Sequence, residues 1–113
     1  MEHRFGFQKL EVFQVAKEAL RVALAHRSCW VGLPGRIGPQ LEAAMVSVVA
    51  NIVEGAGRVG PADQRHHYQI ARGSANEAAG LLEIAALYAS VPDELLALLS
   101  RVVQMLNVMS RKR

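Results

Sequence analysis

Cysteine is nearly absent from this sequence: of 113 residues only Cys29 carries a thiol. One cysteine cannot close an intrachain bridge, so a secreted domain held by disulfides is excluded and a reducing, cytosolic setting is expected. Aromatic residues are also scarce, at 5%, while the apolar share of 51% is mostly Ala, Leu and Val, a helical rather than a sheet composition. No run reaches the roughly 18 uncharged apolar residues needed to cross a bilayer. The longest candidates are broken by Glu83 and by Arg101, and Met1 to Gln8 is too short and polar for a signal peptide. Four prolines and nine glycines are too few for collagen-like or low-complexity chains, and 20% charged residues are too few for a disordered tail. The sequence therefore predicts one domain, residues 1–113, with apolar surface left over for self-association. The formal charge of +3 permits an acidic partner without demanding one.

Proline and glycine divide the chain into four segments of helical period, at about 7–27, 39–55, 61–90 and 92–111. Pro39, Pro61 and Pro92 read as helix openers, and Asp93 and Glu94 complement the dipole of the last helix. Short connections favour antiparallel neighbours, so the expected fold is all-α, an up-down-up-down four-helix bundle. The first helix shows two stripes, Phe13/Ala16/Leu20/Leu24 and Val12/Val15/Ala19/Val22. The second carries Leu41/Met45/Val48/Ile52 and the fourth Leu95/Leu99/Val102/Leu106/Met109, both at bundle spacing. The third has two seams: Ile70/Ser74/Glu77/Leu81/Ile84/Tyr88, and an alanine-rich one, Ala71/Ala75/Ala78/Leu82/Ala85/Ala89. Its apolar arc is about twice the roughly 100° that one core-facing stripe needs. Either this helix is central in the bundle, or its alanine arc packs against another subunit. The second reading is favoured, because a four-helix bundle has no fully central helix.

Polar residues interrupt these seams. Asn51, Glu54 and Arg58 at the end of the second helix, with Ser74 and Glu77 on the third, form either a site near the intervening loop or a structural polar cluster; the structural reading is favoured. Glu54 and Glu77 could act as an acid–base pair. No nucleophile, phosphate-cradling loop or cofactor fingerprint accompanies them, so neither enzymatic activity nor a cofactor is expected. Gly55, Gly57 and Gly60 are expected to supply left-handed conformations that end the second helix. His66 and His67 are adjacent and point apart, and His26 with Cys29 offers two ligands where zinc wants three, so no metal is expected. Trp30 is expected to anchor its loop over one end of the bundle.

Basic residues are the remaining signal. Arg58, Arg65 and Arg72 recur every seven residues, and Arg111, Lys112 and Arg113 close the chain, with Arg4 and Lys9 near its start. Such a stripe is either a solvated face or a set of phosphate contacts, which would gain strength from display on several subunits.

The segments FQKLEVFQVA (Phe7 to Ala16), LEAAMVSVVANIVEGAGR (Leu41 to Arg58) and IARGSANE (Ile70 to Glu77) resemble the family of 23S rRNA-intervening-sequence proteins. That family is in turn similar to the accessory variability protein of diversity-generating retroelements. The resemblance implies a four-helix bundle assembled as a homopentamer with a basic surface, and it carries over Asn51, Glu54, Gly55, Gly57, Arg58, Gly73, Ser74 and Glu77. The retroelement relative binds nucleic acid as partner of a reverse transcriptase, whereas the rRNA-linked members have no established activity. Two functions are thus expected: a non-enzymatic nucleic-acid-binding accessory factor, which would bind RNA or DNA, or a scaffold that docks a protein and binds no nucleic acid.

Overall fold

Helix boundaries follow the proline and glycine breaks to within a few residues. The computed structural model describes residues 3–112. In chain order it contains a 3-10 turn at Gly6–Lys9, α1 (Glu11–Ala25), a second 3-10 turn at Arg27–Cys29, α2 (Ile37–Ala56), α3 (Pro61–Ala85) and α4 (Asp93–Met109), with no strand among the described residues. Pro61 is the first residue of α3 and Pro92 caps α4, where a missing N–H costs nothing. Pro39 lies in the first turn of α2, which starts two residues before it. Each helix packs on two others, α1 and α3 each against α2 and α4. The pairings that cross helices are antiparallel: Arg27 after α1 meets Glu42 early in α2, and Pro61, Gln64 and Arg65 at the start of α3 line one depression with Met109 and Arg111 at the end of α4.

Two helices are shorter than their periodicity predicts. α1 begins at Glu11 because the side chain of Gln8 accepts the N–H groups of Arg4 and Phe5, at 2.7 and 2.8 Å, and folds the preceding residues into a separate turn. α3 ends at Ala85 and the chain unwinds over 86–90, ahead of a proline that disfavours helical geometry at Val91.

Burial resolves which stripe of each helix is the core. In α1 it is Val12, Val15, Ala19 and Val22, with Ala16 and Ala23; Phe13 and Leu20 are half-buried and Leu24 is exposed. In α2 Leu41, Met45, Val48 and Ile52 are buried, as are Leu95, Leu99, Val102 and Leu106 of α4.

α3 reverses the expectation. Its alanine seam, Ala71, Ala75, Ala78, Leu82 and Ala85, is fully buried within the protomer and is not a subunit contact. The bulkier stripe is the outer one, with Ile70, Ile84 and Tyr88 exposed. Small side chains let α3 lie close to its neighbours, and the long side chains of α2 and α4 fill the space between them. The interface between α2 and α3 is accordingly the most extensive of the four.

The two ends of the bundle are finished differently. At one, the loop after α1 turns through Gly32 (φ 81°) and Gly35 (φ 65°) and buries Trp30, as expected of a loop anchor. Gly38 makes room for it: a Cβ there would stand 2.9 Å from the Trp30 carbonyl oxygen. The opposite end gathers the start of α1, the end of α2, the start of α3 and the end of α4. Among the described residues no loop buries an anchor over it, and the 3-10 turn at Gly6–Lys9 packs beside it against α1 and α2.

Candidate nucleic-acid interface

Glycine and tyrosine build the junction between α2 and α3 at this uncovered end. Gly55 faces the ring of Tyr68, so closely that a Cβ on Gly55 would lie 2.6 Å from Cε1. The glycines of this junction do not adopt left-handed conformations: Gly57 has φ −86° and Gly60 φ −81°. The helix ends instead on ordinary right-handed geometry, and Gly55 is required by the approach of the Tyr68 ring. Burial pushes the Tyr68 phenol above its usual value of 10.0, because the phenolate would lose solvation.

The polar residues of the seam only partly come together. Ser47 and Ser74 share a hydrogen bond of 2.8 Å across the helices. Asn51 donates to the Ser47 carbonyl at 3.0 Å, and its side-chain oxygen lies 3.2 Å from Nδ1 of His67. Asn51 and Ser74 therefore belong to one half-buried network that fixes the register of α2 on α3. Glu54 leaves it and pairs with Arg58 at 3.1 Å, and Glu77 is exposed on the outer face of α3. Ser47 and His67 complete the network in their place. The signal for them was a four-residue step from Ser47 to Asn51 and a seven-residue step from His67 to Ser74, each one face of a helix.

The basic residues divide as well. Arg72 turns toward α4, with Nη1 3.3 Å from the Ser110 hydroxyl and 3.5 Å from Asn107 Oδ1, and the neighbouring Gln69 reaches the Ser110 carbonyl. It is a strut between α3 and the end of α4, favourably placed against the negative end of that helix dipole. Arg72 thus does not join Arg65 as a second free cation of one stripe. Arg65 and Arg111 do converge, lining one depression with Pro61, Gln64, Tyr68 and Met109. Arg58 and Lys112 are exposed nearby in sequence; Arg113 lies outside the described residues. Gln64 ties the corner together by donating to the Arg58 carbonyl at 2.9 Å.

Among the described residues no group of three or more His, Cys, Asp or Glu could hold a metal ion, and no helix is long and apolar enough to cross a membrane.

Four helices, each packed on two others around a core that includes a small-residue seam, define an all-helical bundle protein. The chain belongs to the family of 23S rRNA-intervening sequence proteins, whose family model matches residues 8–110. No curated protein and no solved structure matches it.

Proposed function

We propose that this chain is a non-enzymatic, self-assembling bundle that contacts nucleic acid through its open, basic end. The observation that carries this reading is the convergence of Arg65, from the start of α3, and Arg111, after the end of α4, on one depression flanked in sequence by Arg58 and Lys112. Cations from separate helices gathered at one end can neutralise phosphates with release of counterions. The carboxylates that could have served acid–base chemistry are exposed on different helices, and Glu54 is held by Arg58. Exposed apolar side chains support self-assembly: Val46 of α2, Ile70 and Ile84 of α3 and Tyr88 just after it are between 39% and 58% exposed, and surface of this kind is what subunit contacts cover. Five copies is the number the family resemblance implies, and the lone thiol suits a reducing cytoplasm.

Two measurements test the proposal. Light scattering is expected to give a mass several times 12.3 kDa, near five-fold for the pentamer. Titration of labelled RNA and DNA is expected to show affinity that falls steeply with salt, with a shallower slope in Arg65→Glu and Arg111→Glu. A monomer would remove the assembly. Absence of binding at low salt would remove the nucleic-acid contact and favour the scaffold.

A further inference from the structure

The open end carries aromatic and apolar surface that phosphate binding alone leaves unused. Phe5 is 62% exposed, although it sits in an ordered turn, its backbone N–H held by Gln8. Its ring stacks on Phe7 with centroids 5.7 Å apart and planes 18° from parallel, and Phe7 in turn meets Phe13 edge-on at 4.9 Å. One side of the Phe5 ring is thus supported from below. Phe5 and Phe7 line a depression with Val53, Gly57, Gln64 and Tyr68. Gln64 and Tyr68 also line the adjoining depression that holds Arg65 and Arg111. A supported aromatic ring and a pair of arginines therefore line two neighbouring depressions that share Gln64 and Tyr68.

Resting on the nucleic-acid reading above, we propose that this end is a platform for unpaired nucleotides, on which Phe5 stacks a base while Arg65 and Arg111 hold flanking phosphates. A base in a duplex has its faces covered by its neighbours, so an exposed ring has nothing to stack on there, whereas a single strand offers free faces. A second copy of this chain is a poorer occupant. Two such ends would bring their arginines together, and the apolar residues suited to self-assembly lie on the outer face of α2 and α3 instead.

The test uses the assembled full-length protein, a fluorescently labelled 12-nucleotide RNA and the same strand annealed to its complement, with a second copy of the strand carrying 2-aminopurine. The single strand is expected to bind about ten-fold more tightly than the duplex, and Phe5→Ala to remove about ten-fold of single-strand affinity, toward the low end of what one base–aromatic stack is worth. Duplex affinity should not change in that variant. Quenching of 2-aminopurine should accompany binding to the wild type and diminish in Phe5→Ala, while Phe5→Trp should restore it. Unchanged circular dichroism and unchanged mass confirm that the variant folds and assembles. Equal affinity for both strands' forms, or an inert Phe5→Ala, overturns the platform and leaves the phosphate contact standing. A change in particle mass with Phe5→Ala overturns it in favour of a subunit contact. Failure of both nucleic acids to bind overturns the underlying reading as well.

Discussion

A methyl group added to Gly55 would stand 2.6 Å from one ring carbon of Tyr68 and 2.9 Å from the next, closer than real Cβ contacts come. Gly55→Ala gains helix propensity of about 1 kcal/mol, yet must move a buried ring, and overpacking of this kind costs about 1–3 kcal/mol. The net expectation is destabilisation. At Gly57 the same change meets only ordinary contacts at 3.6 and 3.7 Å, and its φ of −86° suits alanine. Gly57→Ala should therefore stabilise by about 0.4–1 kcal/mol through the unfolded chain. Urea denaturation of the two variants side by side separates a glycine required by packing from one that is only a helix end. Tyr68 adds a pH signature. Because burial raises its folded-state pKa above the unfolded value, its contribution is fully present at neutral pH and is lost as pH climbs from about 10 through the folded value. Tyr68→Phe keeps the ring and should flatten the alkaline decline in melting temperature, measured between pH 8 and 11. Such roles were only half legible in the sequence. The glycine-rich stretch announced a helix end, but a ring arriving from the next helix leaves no mark in the local pattern.

Between elements, side-chain size decides which face turns inward. The periodicity of α2 and α4 identified their core residues directly, since each has one long-chain seam and both seams are buried apart from the half-buried Met109 at the end of α4. α3 offered two apolar seams, and composition alone favours burying the larger side chains. The structure buries the alanines, because the distance between helix axes, not the transfer energy of one stripe, determines what fits. The helix ends were legible where proline opens α3 and α4. They were not legible at Gln8, whose side chain caps the turn before α1, nor was the role of Arg72, whose partners Asn107 and Ser110 lie at the end of α4. Two substitutions on α3 should separate its faces. Ala75→Leu places three extra carbons in a site with no exposure and should cost about 1–3 kcal/mol of protomer stability, seen as a lower melting temperature. Ile84→Lys, on the 44% exposed face, should leave the protomer's helicity intact and shift the mass measured by light scattering toward 12.3 kDa. A normal assembly in Ile84→Lys would assign self-association to another face.

At the scale of the whole molecule, the bundle has one closed end and one open end, and cations from two helices converge only at the open one. Trp30 and its loop seal the first end; the paired Arg27 and Glu42 beside it cancel locally. Arg65, Arg111 and Lys112 mark the second. Any cyclic assembly repeats each feature around a single axis at one height, so the open ends of all subunits come to lie on one rim. A short strand can engage one such end, whereas a longer strand can reach several, and each additional contact is then made at the effective concentration set by the linking nucleotides. Assembly and binding should therefore be coupled in a length-dependent way. With a 12-nucleotide RNA, Ile84→Lys should bind as the wild type does, because position 84 lies near the C-terminal end of α3, away from Arg65 at its start. With an RNA several times longer, the wild type should gain on the order of 10²–10⁴-fold over the short strand, and Ile84→Lys should lose most of that gain. The salt dependence should steepen with length only in the assembled protein, since each further subunit releases its own counterions. Equal gains in both proteins would mean that the strand finds its extra contacts on one protomer, and the common rim would then play no part in binding.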